Sequence, residues 1–207
     1  MATDVPPQGQ AQARATPSGW KPYRLNVRQF LKMIEAGVFP DHHNVELLGG
    51  MLVDLMTKKA PHTFAIGQLY DTIKSMMVAG WIIHQEVPLD LGDYWRPEPD
   101  FALTRGPRAL YRDHSPAAAD VALVVEVADS SYRIDRGSKW RRYAAVGIPA
   151  YWIVNLTKRQ IEVYSGPAGQ GRSASYQNLV TFDEAAEIPV TIEGREVGPV
   201  AARDILP

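Results

Sequence analysis

The stretch "VALVVEVA", Val121 to Ala128, is the most apolar run of the chain, and its reading decides the fold. An apolar run this continuous suits a central β-strand covered on both faces. Glu126 is the discordant residue. Strand alternation puts it on the face of Val124, opposite Val125 and Val127. An ionised carboxylate in that setting is costly unless it is paired or coordinates a metal.

A second acid stands in "RPEPDFAL", Arg96 to Leu103, where Asp100 follows Pro99 at the head of another expected strand. From a neighbouring strand it can approach Glu126. Two carboxylates converging at a sheet fork make an oxygen-rich site suited to Mg²⁺ or Mn²⁺. An alternative stays open from these residues alone: Glu126 ion-paired with an arginine for structural reasons, and Asp100 capping a turn.

Around this pair the chain alternates helices and strands. "NVRQFLKMIEAGVFP" predicts a short helix with Val27, Phe30, Leu31 and Ile34 on one face, Asn26 as cap, and Gly37 and Pro40 as stops. "NVELLGGMLVDLM" predicts a hairpin about Gly49 and Gly50. Pro61 opens a second helix, with Phe64, Ile66, Leu69, Ile73, Met76 and Met77 approximating its apolar face and Gly80 beyond its end. "WIIHQEVPLDL" and "PDFALT" read as strands. After Glu126 comes a third helix, about Arg133 to Val146, and then the strands "AYWIVN" and "QIEVYS" joined by a turn at "LTKR". The segment "GPAGQGRSAS" reads as a loop, and the remainder as short strands with a C-terminal turn. This order predicts an α/β fold, a mixed sheet flanked by helices.

Composition excludes several classes of function. The 207 residues carry 22 Lys and Arg against 23 Asp and Glu, a formal charge of −1, so any nucleic acid must be held by a local basic patch. No cysteine is present, which removes disulfides, thiol nucleophiles and cysteine-ligated zinc. No stretch has the length or apolarity of a membrane span or a secretory signal, so a cytoplasmic location is expected. Residues 1–22 are rich in Pro, Gln and Ala and predict a disordered tail, leaving 23–207 as one domain.

The third helix, "SSYRIDRGSKWRRYAAVG", places Asp135, Lys139 and Tyr143 at i, i+4 and i+8 on one stripe. Alone, Asp135 and Lys139 make a helix pair worth about 0.3–0.5 kcal/mol. Beside two carboxylates, a lysine is what phosphodiester hydrolysis wants, to orient or help deprotonate a water and to offset phosphoryl charge. Arg133, Arg136, Arg141 and Arg142 around it read as a basic patch or as a solvated face.

Assembled in order, "VELLGGMLVDLM", "PHTFAIGQL", "RPEPDFAL", "VALVVEVADSS" and "DRGSKWRRYAAVGIPAYWIVN" resemble the Uma-two family of restriction-endonuclease-like proteins, domain of unknown function 820, in the PD-(D/E)XK nuclease superfamily. The resemblance runs from about Val27 to the C-terminus. It implies a restriction-endonuclease-like core and a metal-dependent phosphodiesterase site. Asp100 and Glu126 would be metal ligands, joined by the backbone carbonyl of Val127, and Lys139 would be the catalytic lysine. Glu46 looks like the family's upstream acid, holding a second metal or a water, and His62 matches a histidine common after the hairpin. In the superfamily motif the lysine stands two positions after the glutamate, where this chain has Ala128. Lys139 replaces it only if the helix aims its amine back at Glu126.

Three readings of function follow. The first is a Mg²⁺- or Mn²⁺-dependent endonuclease acting on DNA, expected as a homodimer because cutting both strands benefits from two sites. Specificity would then rest on loops such as Gly106–Pro116 or on a partner. The second is a catalytically inactive module of the same fold that binds nucleic acid or protein. The third is a sugar hydrolase using the carboxylate pair, with Tyr94 and Trp95 lining a cleft, but it gives Lys139 no role.

Overall fold

The computed structural model describes residues 21–39, 45–54 and 58–207. The expected tail lies outside these residues except for Lys21 and Pro22, as do Pro40, Asn44, Leu55 and Met56.

Helix α1, Val27–Glu35, starts where the sequence places it. Asn26 accepts from the Gln29 amide, and the Gln29 side chain accepts from the Asn26 amide, a reciprocal cap that satisfies two helix-start N–H groups. Strands β1, Val45–Leu48, and β2, Met51–Asp54, form a hairpin in which Leu48 faces Met51 across Gly49 and Gly50. Both glycines have positive φ, +61° and +79°, as a two-residue turn of this kind requires. A Cβ on Gly50 would also lie 2.7 Å from Cβ of Arg24.

Helix α2, Ala60–Ser75, has Pro61 in its first turn and buries His62, Ala65, Ile66, Leu69 and Ile73. Phe64 departs from expectation: it is exposed, because the buried stripe runs through Ala65 and Ile66. Strands β3, Trp81–His84, β4, Trp95–Arg96, and β5, Phe101–Arg105, follow. The apolar run becomes β6, Val121–Ala128, with all eight residues buried. The third helix is composite. An α-turn α3, Tyr132–Ile134, runs into a π-helical segment at Asp135–Lys139 and then into α4, Trp140–Ala145.

Strands β7, Ala150–Asn155, and β8, Gln160–Ala168, complete the expected pair, although β8 runs through "GPA" into the stretch read as a loop. Three further strands, β9 (Ser175–Phe182), β10 (Glu187–Ile192) and β11 (Arg195–Ala201), precede a last helical turn, α5, Ala202–Ile205.

Six strands form one mixed sheet in the order β3-β5-β6-β7-β8-β9, where β6 and β7 are parallel and the other pairs antiparallel. A parallel neighbour requires a crossover, and α3, the π segment and α4 supply it. Smaller sheets, β2-β1-β4 and β10-β11, flank this one. Leu123, Val125 and Val127 pack with Leu69, Ile73, Ile188, Val200 and Ile205 on one face. Val124 and Ala128 pack with Tyr143, Tyr151, Tyr164 and Tyr176 on the other. Glu126 belongs to this tyrosine-rich side and hydrogen-bonds Tyr143. Among the described residues, no helix is long and apolar enough to cross a membrane.

Candidate functional site

Phe101 faces Val125 across the β5–β6 ladder, so Asp100 comes up beside the C-terminal end of β6. Its Oδ2 accepts the Val127 N–H at 2.7 Å and lies 3.2 Å from Nε2 of His62. Its Oδ1 lies 3.1 Å from Nζ of Lys58. Burial works to raise the Asp100 pKa, but His62, Lys58 and the Val127 amide outweigh it and hold the carboxyl below its usual range.

The Lys139 side chain, 4% exposed, turns back to the sheet and places its amine 3.0 Å from Oε1 of Glu126. The same amine is 3.0 Å from Oε1 of Glu46 and 4.0 Å from Oδ1 of Asp135. Tyr143 donates to Glu126 Oε1 at 2.7 Å, and Ser131 donates to Asp135. The expected stripe therefore exists, but as a buried cluster. The π segment widens the helix here, and Tyr151 donates to the Asp135 carbonyl at 3.1 Å. Such single π turns recur at functional sites.

One ammonium facing three carboxylates leaves negative charge uncompensated. Burial first, then the neighbouring acids Asp135, Asp100 and Glu46, push the Glu126 carboxyl well above its ordinary range despite Lys139. Burial pushes Asp135 up to about 6, against Lys139 and Ser131. Lys139 is raised well above the usual lysine value: burial opposes its charge, and Glu126, Glu46 and Asp135 prevail.

A cavity of about 290 Å³ opens over these groups. Asp100, Glu126, Val127, Asp135 and Lys139 line it, with His62, Lys58 and Glu98. Glu46 lies behind them, its Oε1 taking the Glu98 N–H at 2.6 Å while its buried Oε2 has no partner among the described residues.

Lys58 and Glu98 were not singled out from the sequence. Lys58 sits in the connection "TKKAPH", where nothing in the local pattern marks it. Glu98 lies in the quoted "RPEPD", two residues before Asp100, and that proximity was its signal. Burial, then repulsion from Glu46, pushes Glu98 up to about 7. The arginine patch divides. Arg136 lies over the rings of Trp140 and Tyr164, and Arg142 bonds the Leu91 carbonyl and lies over Trp95. Arg133 and Arg141 remain exposed.

The donor chemistry fits a hard divalent cation, since the acids Asp100, Glu126 and Asp135 line one cavity, with an orphaned oxygen on Glu46 behind them. Among the described residues, however, no three His, Asp or Glu side chains already enclose an ion position. Lysines hold Asp100, Glu126 and Glu46 instead.

A mixed sheet flanked by helices, with acids at the fork of β5 and β6, defines a restriction-endonuclease-like α/β domain. Residues 27–200 match the family model described as "Uma2: Putative restriction endonuclease", and the chain belongs to that family. The fold is similar to the crystal structure of a "putative nuclease belonging to DUF820" from Anabaena variabilis, at 15% identity and a TM-score of 0.64, over 87% of this chain and 97% of that one. No curated protein matches.

Proposed function

We propose that the chain is a metal-dependent endonuclease hydrolysing DNA phosphodiester bonds, with Asp100, Glu126 and Lys139 as its working groups. The supporting observation is the 3.0 Å approach of the Lys139 amine to Glu126 from the following helix, which satisfies the geometric condition for a displaced lysine. Asp100, Glu126 and the Val127 carbonyl would hold Mg²⁺ or Mn²⁺, with Glu46 holding a second ion or a water. A bound divalent ion supplies Lewis-acid stabilisation of phosphoryl charge and a more acidic water.

The chain's own groups do the rest. Lys139 and Tyr143 share Oε1 of Glu126, which leaves Oε2 for a cation. An amine among three carboxylates keeps its proton, so Lys139 acts as a hydrogen-bond donor that orients water and offsets charge on the phosphate. Asp135 steers that amine from 4.0 Å away, and His62 fixes the Asp100 carboxylate from the start of α2. DNA is the substrate class, and a homodimer in the cytoplasm is the working arrangement.

The absence of an enclosed ion position among the described residues favours a second reading, an inactive module of the same fold. The two differ in turnover. Incubated with supercoiled plasmid and Mn²⁺, the endonuclease nicks and linearises it, and Asp100→Asn and Glu126→Gln lose that activity while melting as folded proteins. Cutting that survives in both variants, or in excess chelator, contradicts the proposal.

A further inference from the structure

Asp100 presents two oxygens, and they are held differently. Oδ2 is committed to the protein: the Val127 N–H reaches it at 2.7 Å and the His62 ring at 3.2 Å. Oδ1 is met by the Lys58 amine at 3.1 Å. The ligand oxygen that Asp100 can offer a cation is thus the one a lysine covers. Lys58 also has a second carboxylate within reach, Oε1 of Glu86 at 2.9 Å.

Glu86 is placed for this at some cost. Its φ of +53° lies in the left-handed region that side chains other than glycine rarely adopt, and its N–H donates to the Asp100 carbonyl at 3.3 Å. That contact fixes the Glu86 backbone against Asp100. The Lys58 side chain is one-third exposed, at 34%, and a lysine is a point charge on a flexible stem. Glu86 is itself 47% exposed at 2.9 Å from that amine, so an amine that leaves Asp100 can stay with Glu86.

We infer that Lys58 is an internal counter-cation, which holds Oδ1 of Asp100 in the metal-free protein and competes with the divalent ion for that oxygen. The inference rests on the metal-site reading above. It makes Lys58 a positioning residue that sets how tightly the ion is taken up. Lys59, beside it, supplies the control: it too borders the cavity, but pairs with Asp129 at 3.0 Å and is 69% exposed.

The test is calorimetric titration of chelator-treated protein with Mn²⁺ alone, with no DNA present. Losing a charge-assisted hydrogen bond to the competing amine should make Lys58→Met bind Mn²⁺ about tenfold more tightly than the wild type. Lys58→Gln repeats the test with a polar, neutral side chain, and Lys59→Met should stay within about twofold. If neither Lys58 variant binds more tightly, even where both melt earlier, Lys58 is only a structural ion pair and the inference fails. It fails equally if Lys59→Met gains as much. Asp100→Asn separates this from failure of the site itself. If it binds Mn²⁺ as well as the wild type does, or if no binding occurs, the metal-site reading falls and takes the inference with it.

Discussion

Lys139 and Lys58 flank one cavity and each holds carboxylates at about 3 Å, yet their surroundings differ. Lys139, the last residue of the π segment, is almost wholly buried among Glu46, Glu126 and Asp135, with Tyr143 on the same Glu126 oxygen. Lys58 stands at the rim between Asp100 and Glu86, one-third open to water. Water screens the rim pair and leaves the inner cluster to balance its own charges. The inner lysine is therefore a fixture of the fold, and the outer one a group the protein can spare and move.

Stability measurements test this contrast, and the largest effect belongs to Lys139. Lys139→Met strands three buried acids, and breaking a buried pair in this way costs about 3–5 kcal/mol in a denaturant titration. A loss under about 1 kcal/mol would show that the cluster is less sealed than its geometry indicates. Next in size, Glu126→Gln introduced into Lys139→Met should recover part of that loss, because one stranded charge is gone. Groups in one network are expected to couple by about 0.5–3 kcal/mol, and strict additivity would break the cluster into independent residues.

Tyr143→Phe keeps the ring packed against Tyr151, 5.0 Å between centroids, and removes only the hydroxyl on Glu126. It should cost about 1–3 kcal/mol, the range for a hydrogen bond to a charged or newly unsatisfied partner. Smallest is Lys58→Met, about 1 kcal/mol in chelator, because the lysine end of its pair with the buried Asp100 is open to water. A larger loss there would erase the contrast between the two lysines.

The parts of this arrangement legible in sequence were those written in local pattern. Val121–Ala128 and Ala150–Asn155 read as strands with the bounds they have, because a continuous apolar run leaves little else to be. Asn26 with Gln29, and Gly49 with Gly50, specify a cap and a turn within four residues. Asp100, Glu126 and Lys139 were visible as chemistry out of place on apolar or helical patterns, and the structure brings Lys139 and Glu126 together.

What depended on distant partners stayed hidden. The π segment coincides with Lys139 reaching Glu46 and Glu126 on other elements and with the Tyr151 hydroxyl on the Asp135 carbonyl, and no helical period encodes that. Lys58 carried no local signal because its partners Glu86 and Asp100 lie 28 and 42 residues away in sequence. Phe64 fits the apolar period of α2 but faces solvent, since the sheet covers the stripe through Ala65 and Ile66 instead.

The most direct measurement is anomalous scattering from a crystal soaked in Mn²⁺. A peak coordinated by Asp100 and Glu126, with the Lys58 amine displaced toward Glu86 and Lys139 still beside Glu126, is the predicted result. A map without a peak at these two acids, at an ion concentration that saturates the protein in solution, would contradict the account.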